Sequence, residues 1–414
     1  MKNILNSIAG RSRQLLDDPY TGELLFLAGY IIYLARAVWS TTMFPFSGIL
    51  SKLCLLISVM LIGTKIILFD RYRTSSFCGL ALVVLCAGGV FLSSRYLNAL
   101  FWLILVMGSK DISLQKILRI YLIITGTIVV LAFCSSLIGV IENLQYTSSD
   151  RGVRNSFGIV YVTDFAAFIF YLILVYFYLK GSELKLYHFI GASVLAGLVY
   201  HFCNARLDTS CMVLTIVIYG INAFFEHTKY AFCRVRKLWE TFWHRIGPFI
   251  MPILAALSII TTLSYTPDNS LLTAINKIST NRLSLGKEGL TRFGIALFGQ
   301  TIDMVGMGGN TATPDDYFFI DCSYVHVLLR YGLVFLLILI GAYMLFCFRN
   351  KKDIYLLFAI ALVAVNCVIA HHIIEAAYNP FAFALLACNA GNANSFPAFA
   401  TAAPYTSPSP GTAS

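Results

Sequence analysis

Charged side chains are scarce in this sequence. They make up only 12% of the 414 residues, whereas a typical soluble domain carries about 25%. Apolar residues account for 58% of the chain. A water-soluble fold of this length needs more charged surface than these residues supply. The composition therefore excludes a soluble globular protein and indicates a protein embedded in lipid.

Several motifs are also missing. The sequence contains no Walker motif, which argues against ATP-driven transport by this chain alone. The eleven cysteines show no metal-ligand spacing, and many lie inside apolar runs, as Cys54, Cys86 and Cys134 do. Such cysteines behave as small buried hydrophobic residues. The N-terminal segment is polar and amphipathic, so we expect no cleaved signal peptide.

The apolar residues recur in runs of about 17–25, the length that crosses a hydrocarbon core of roughly 30 Å. In lipid every backbone N–H and C=O must be paired internally, and a helix does this within one segment. The sequence therefore predicts an all-α, polytopic bundle of about twelve transmembrane helices. The predicted spans are 22–41, 48–69, 77–93, 95–108, 117–140, 157–179, 186–202, 208–226, 246–265, 323–347, 353–371 and 379–390.

The net charge of +10 is explained by the positive-inside rule rather than by nucleic-acid binding. Lys and Arg follow alternate spans, most densely at 229–245, where they are expected to contact anionic lipid headgroups. This pattern places both termini in the cytoplasm and the long loop 266–322 on the outer face. Segment 1–21 then precedes a transmembrane domain at 22–390, and 391–414 is a low-complexity tail that cannot order itself.

The remaining charges near the outer ends of the spans are candidates for chemistry, because a charge within a span costs at least about 2.5–3.5 kcal/mol. A guanidinium offers two parallel donors that match phosphate oxygens, so several arginines at one depth indicate an anionic ligand. Histidine and carboxylate groups nearby are candidate general bases. The candidates are Arg151, Arg154, Arg206, Arg282, Arg292, Asp321, Tyr324, His371, His372 and Glu375.

Each candidate also has a structural interpretation. Ordinary loop charges are the alternative interpretation of Arg151 and Arg154, and hydrogen bonding within the bundle is the alternative for the two histidines. Asp164 is interpreted as a partner for an arginine, and Asp208 as the N-cap of a helix. A metal site from His371, His372 and Glu375 is only weakly indicated, because adjacent histidines on one helix point in different directions.

The order of these motifs resembles the Wzy-type polysaccharide polymerases of bacteria, a family similar in layout to the O-antigen ligases. The resemblance covers about residues 20–385. It rests on Gly108-Ser-Lys-Asp111, Arg154-Asn-Ser-Phe-Gly158, Asn204-Ala-Arg206, Asn281-Arg-Leu-Ser-Leu-Gly286, Phe298-Gly-Gln300, Asp321-Cys-Ser-Tyr324 and His371 through Glu375 with Asn379-Pro380.

The resemblance implies a glycosyltransferase that joins undecaprenyl-diphosphate-linked oligosaccharide units on the outer face of the bacterial cytoplasmic membrane. It needs no nucleotide, cofactor or metal, because the sugar–diphosphate bond supplies the energy. Arg154, Arg206 and Arg282 would bind the diphosphate, and His371 or Glu375 would activate the acceptor hydroxyl. Further substrate contacts are expected from Arg151, Arg292, Asp321 and Tyr324. A flippase and a chain-length regulator of the same pathway are the expected protein partners.

Two other functions remain open. A ligase would move a finished glycan from the lipid carrier to a different acceptor. A flippase for the lipid-linked oligosaccharide would need charges deep in the bundle, and only Asp164 and Arg330 are placed there by the predicted spans.

Overall fold

The computed structural model describes residues 19–71, 74–148, 152–228 and 232–388. Most of the predicted segment 1–21 and the whole tail 391–414 lie outside these residues. The described helices are α1 Pro19–Trp39, α2 Gly48–Leu68, α3 Thr74–Ser94, α4 Asn98–Gly108, α5 Leu114–Leu137, α6 Val162–Lys180, α7 Leu186–Cys203, α8 Arg206–His227, α9 Cys233–Ser264, α10 Ser270–Ile278, α11 Arg282–Phe293, α12 Ser323–Arg330, α13 Leu333–Arg349 and α14 Ile354–Ile369. A short antiparallel hairpin, β1 Gln145–Ser148 and β2 Gly152–Asn155, precedes α6.

The chain is an all-α membrane bundle. Within the described residues, seven helices are long and apolar enough to cross a membrane. They are Tyr20–Trp39, Gly48–Leu68, Leu114–Leu137, Val162–Glu183, Leu186–Cys203, Arg206–His227 and Cys233–Ser264. Four shorter apolar helices, Ala81–Ser94, Asn98–Gly108, Leu333–Arg349 and Ile354–Ile369, accompany them. The predicted membrane character is confirmed.

The predicted count of twelve spans is not confirmed, and two segments differ from the prediction. The span expected at 323–347 breaks between α12 and α13, where Gly332 has φ +90°. A Cβ on Gly332 would lie 2.3 Å from the Gly299 nitrogen, because the chain at 296–299 packs into this break. The span expected at 379–390 contains a six-residue 3-10 helix, Pro380–Leu385, which is far too short to cross a bilayer.

The core of the bundle lies around α6 and α14, whose side chains are largely buried. The Tyr171 hydroxyl on α6 donates a hydrogen bond of 3.0 Å to the Asn366 side chain on α14. Beyond α14 the chain turns back into this core, where the Phe383 ring lies 4.8 Å from the Tyr30 ring of α1. Tyr378 stacks on Phe168 of α6 at 4.4 Å. Residues 376–384 are therefore interior, not peripheral.

The outward faces of the long helices are apolar. On α2 the exposed residues include Leu53, Leu56, Met60 and Ile67. In water such a surface would be unfavourable by about 25 cal/mol per Å², whereas in a bilayer it is the expected lipid contact.

Candidate functional site

The candidate site is built on a turn that follows α14, here called the histidine turn (residues 370–375). Helix α14 ends at Ile369, and a 3-10 helix, His372–Ile374, begins three residues later. Glu375 contacts both histidines, with 3.3 Å from Oε1 to His371 Nε2 and 3.3 Å from Oε2 to His372 Nδ1. The expectation that adjacent histidines diverge is wrong here, because the helix on which it depended has already ended.

Side chains from distant parts of the sequence hold the histidine turn in place. The Ser323 hydroxyl donates to the Ala370 carbonyl (2.5 Å) and accepts from the Ile373 N–H (3.2 Å). Asn379 donates to the Ile373 carbonyl at 3.1 Å. Such bracing fixes the reactive groups before a ligand arrives, which is a requirement of a preorganised site.

Glu375 and His372 shift each other's pKa values in opposite directions. Burial acts to raise the pKa of Glu375, but the neighbouring His371 and His372 outweigh it and hold the pKa at about 2. Burial acts to lower the pKa of His372, but the hydrogen bond and charge of Glu375 outweigh it, so this pKa is raised. An ionised carboxylate of such low pKa is a weak proton acceptor. Glu375 is therefore suited to orienting the histidines.

The histidine rings also pack against other rings. His372 stacks on Tyr378 with centroids 3.9 Å apart, and His371 stacks on His326 of α12 at 5.6 Å. The His326 Nδ1 lies 2.9 Å from the Ile320 carbonyl, so this nitrogen must be the donor. His326 was not singled out from the sequence, because a lone histidine in an apolar segment carries no motif.

Arg282 at the start of α11 is nearly saturated by protein partners. Its Nε donates to the Ile369 carbonyl at 2.7 Å, directly before the histidine turn. Its Nη1 donates to the Ser279 carbonyl (2.8 Å) and the Thr280 hydroxyl (2.5 Å), and its Nη2 lies 3.3 Å from Asp321 Oδ2. These contacts use most of its five N–H groups. They make Arg282 a positioning residue for the histidine turn, while its predicted contact with a diphosphate stays a prediction.

Two other predicted arginines meet at the junction of α7 and α8. Asn204 ends α7 in the left-handed conformation (φ +43°), which asparagine tolerates better than most residues. The Arg206 Nε donates to the Asn204 side chain at 3.1 Å, and the Arg154 Nε on β2 donates to the Cys203 carbonyl at 2.9 Å. Arg151 lies outside the described residues.

Asp208 connects this junction to the histidine turn. It is only 7% exposed, and the charges of Arg282, His372 and Asp164 all act on it. The predicted N-cap role is wrong, because the cap residue of α8 is Ala205 and Asp208 lies in the first turn. The buried Asp208 and the half-buried Asp164 are thus acids of the site itself.

A groove runs down the membrane face of α7 and α8 from Arg206. Its volume is about 480 Å³, and it continues into a second depression of about 290 Å³. Apart from Arg206 the lining is mostly apolar or small, and it comprises Ser193, Ala196, Gly197, Tyr200, Thr209, Ser210, Val213, Leu214, Ile216 and Val217. The groove therefore combines an open apolar surface with a cation at one end.

The other predicted site residues have local partners. Tyr324 is fully buried and donates its hydroxyl to the Ala364 carbonyl at 2.9 Å. This leaves no surface for a substrate, so Tyr324 is a packing residue between α12 and α14. Arg292 is 58% exposed and pairs with Glu288 at 2.5 Å, which places it on the surface of α11. Asp321 is the partner of Arg282.

Two further arginines lie near the turn. The Arg330 guanidinium covers the Tyr96 ring at 3.6 Å from its centroid, and the Arg36 Nε donates to Ser51 at 2.9 Å. Tyr33 lies within electrostatic reach of both Arg36 and Glu375. Arg36 is therefore part of the same polar end of the bundle, and its bond to Ser51 holds it against α2.

Comparison of the chain with protein-family models, with curated proteins and with solved structures finds no match. Together, the fold and the site define the chain as an all-α membrane protein with a polar site at one end of its helix bundle. The residues of that site carry the evidence for its function.

Proposed function

We propose that this chain is a polysaccharide polymerase that joins undecaprenyl-diphosphate-linked oligosaccharide repeat units at the outer face of the bacterial cytoplasmic membrane. One observation carries the proposal. The groove begins at Arg206, and two residues later Asp208 lies on the buried side of the same helix, where the charges of Arg282 and His372 act on it. A binding groove for a lipid and a braced histidine–glutamate pair therefore lie at one end of the bundle.

The groove suits the lipid-linked donor. A polyprenyl chain is apolar and needs a lipid-facing channel, while its diphosphate needs donors at the membrane surface. Arg206, exposed at the end of the groove, provides such donors, and Arg154 lies beside it. As the glycosidic bond to the diphosphate breaks, negative charge grows on the departing oxygen, and guanidinium groups stabilise that charge.

The histidine turn suits activation of the acceptor. Because His371 Nε2 faces the ionised Glu375, Nε2 carries the proton and Nδ1 retains the lone pair. In the proposed step Nδ1 takes the proton of the acceptor hydroxyl, and the oxygen attacks the anomeric carbon of the donor. The carbon–oxygen bond to the diphosphate breaks, and its electron pair leaves with the lipid carrier. Glu375 stabilises the imidazolium, as the acid of a catalytic triad does.

The proposed topology is the one expected from the loop charges. Both termini face the cytoplasm, and segment 266–322 covers the site from outside. The sugar–diphosphate bond drives the reaction, so no nucleotide is required. The flippase that delivers the repeat units and a chain-length regulator are the proposed neighbours in the membrane.

The test compares two arginine variants in a strain that lacks the native gene. Arg206→Ala is expected to abolish long polymer and to leave single repeat units on the lipid carrier, seen on a gel of the glycolipid fraction. Arg349→Ala, which removes an exposed arginine at the far end of α13, is expected to give polymer of normal length. Normal polymer from Arg206→Ala at native expression would refute the role of Arg206.

The strain without the protein separates the proposed function from the two alternatives. A polymerase deletion leaves single repeat units exposed on the outer face. Long chains that remain on undecaprenyl diphosphate would indicate a ligase, and single units that still face the cytoplasm would indicate a flippase.

A further inference from the structure

The histidine turn brings three potential metal ligands together. The ligand atoms of His371, His372 and Glu375 all lie within 4.8 Å of one another. Two imidazoles and one carboxylate, with a fourth position left open, form a frequent ligand set for Zn²⁺. We propose that these three side chains bind a divalent transition-metal ion, with Zn²⁺ as the preferred ion. This inference does not depend on the proposed function. An ion bound to His371 Nε2 displaces the proton assigned to that nitrogen above, so Nδ1 then carries a proton and His371 is a metal ligand rather than the general base.

The spacing of the ligand atoms supports the proposal. Zn–N and Zn–O bonds of about 2.0–2.1 Å in a tetrahedron put neighbouring ligand atoms about 3.4 Å apart. The two distances from Glu375 to the histidine nitrogens are both 3.3 Å. These two distances start from different carboxylate oxygens, so binding through one oxygen requires a small rotation of Glu375. The three ligand atoms, now within 4.8 Å of one another, then need to approach to about 3.4 Å.

The surrounding charge also favours a cation. Besides Glu375, the carboxylates of Asp164 and Asp208 act on His372. Asp208 is only 7% exposed, so its attraction for a cation is weakly screened by water. Arg282 offsets part of the charge of Asp208, and a divalent ion would neutralise the remaining carboxylate charge more fully than a single proton does.

The group of three side chains is partly open to solvent, and hydrogen bonds hold its backbone in place. His372 is 4% exposed, whereas His371 and Glu375 keep 23% and 33% of their side-chain surface. An ion can therefore enter from the side of His371 and Glu375 and keep a water as its fourth ligand. The bonds from Ser323 and Asn379 hold the backbone of the turn, so little conformational entropy is lost on binding.

The experiment measures metal binding directly on the full chain, purified in detergent and stripped with a chelator. Exposed thiols are first removed as a competing source of binding by changing Cys134, Cys233 and Cys388 to Ser, since these cysteines are exposed. Equilibrium dialysis against Zn²⁺ is expected to give one ion per chain at micromolar concentration. Co²⁺ in its place is expected to give the visible absorption of a tetrahedral site.

Three variants identify the ligands. Glu375→Gln and His372→Ala are each expected to weaken Zn²⁺ binding at least tenfold, whereas His201→Ala, which removes an exposed histidine at the end of α7, is expected to leave it unchanged. Elution volume and thermal unfolding show whether each variant is folded. Absence of binding at micromolar Zn²⁺, or equal binding by folded Glu375→Gln and His201→Ala, overturns the proposal. Neither result bears on Arg206 or on polymer length.

Discussion

Ser323 is the side chain whose removal tests the bracing of the histidine turn most directly. It is fully buried, and its hydroxyl serves two backbone groups of the turn, the Ala370 carbonyl and the Ile373 N–H. Ser323→Ala removes the partner of the buried Ile373 N–H and of the half-buried Ala370 carbonyl. Each such group costs about 1–3 kcal/mol, so we expect a loss of about 2–4 kcal/mol of unfolding free energy after partial relaxation of the turn.

A matched control is Thr215→Val on α8. Thr215 is also fully buried, but its hydroxyl bonds only to the Cys211 carbonyl of its own helix at 2.8 Å. That carbonyl keeps its helical N–H partner, so the expected loss is below about 1 kcal/mol. Both substitutions remove one buried hydroxyl. The Ser323 hydroxyl bonds to two backbone groups of the histidine turn, whereas the Thr215 hydroxyl bonds only to a carbonyl of its own helix.

The assay combines unfolding in detergent, followed by a thiol-reactive dye, with polymer length in cells. A turn displaced by about 1 Å is expected to lower the reaction rate by roughly 100-fold, so Ser323→Ala should accumulate single repeat units even when it is folded. Equal stability of Ser323→Ala and Thr215→Val, together with native polymer from both, would refute the bracing of the turn by Ser323.

Three other outcomes are expected. Gly332→Ala should lower the unfolding midpoint and the expression level, because the new Cβ would lie 2.3 Å from a backbone nitrogen and the residue has φ +90°. Gly341→Ala, whose Cβ would have open space around it, should change neither. Equal unfolding midpoints for the two variants would contradict this expectation. Tyr324→Phe should cost about 1 kcal/mol and leave polymer length native, and altered polymer would restore a substrate role for Tyr324. His371→Ala should reduce polymer synthesis by about 10²–10⁴-fold with the protein still folded, and full activity would exclude it as the base.

The membrane fold follows from the sequence where the cause is local. The apolar run at 48–69 predicts α2, and the helix is found at Gly48–Leu68, because length and apolarity suffice to specify a span. The break in the span predicted at 323–347 is different. It depends on the close approach of Gly299 to Gly332, which are more than thirty positions apart in the sequence. No local sequence pattern predicts such a contact.

The candidate site likewise contains some features with a local cause and others that depend on long-range contacts. The pairing of Arg206 with Asn204 is contained in one short connection, so the sequence could single out Arg206 as a residue held near both helices. The histidine turn has no proline or glycine that would end α14 at Ile369. Its geometry comes from Arg282 and Ser323, which bond to backbone carbonyls 87 and 47 residues further along the chain. Such long-range bonds leave no trace in the periodicity of the sequence.

The burial of residues 376–384 has a consequence for biogenesis. This segment fills the space between helices of the N-terminal half, since Phe383 contacts α1 and Tyr378 contacts α6. A ribosome releases those helices into the membrane well before it reaches this segment. The interior of the bundle therefore stays open until synthesis is nearly finished, and insertion into lipid precedes final packing. A nascent chain stopped before residue 376 would already span the membrane but would lack the interior packing that Tyr378 and Phe383 supply.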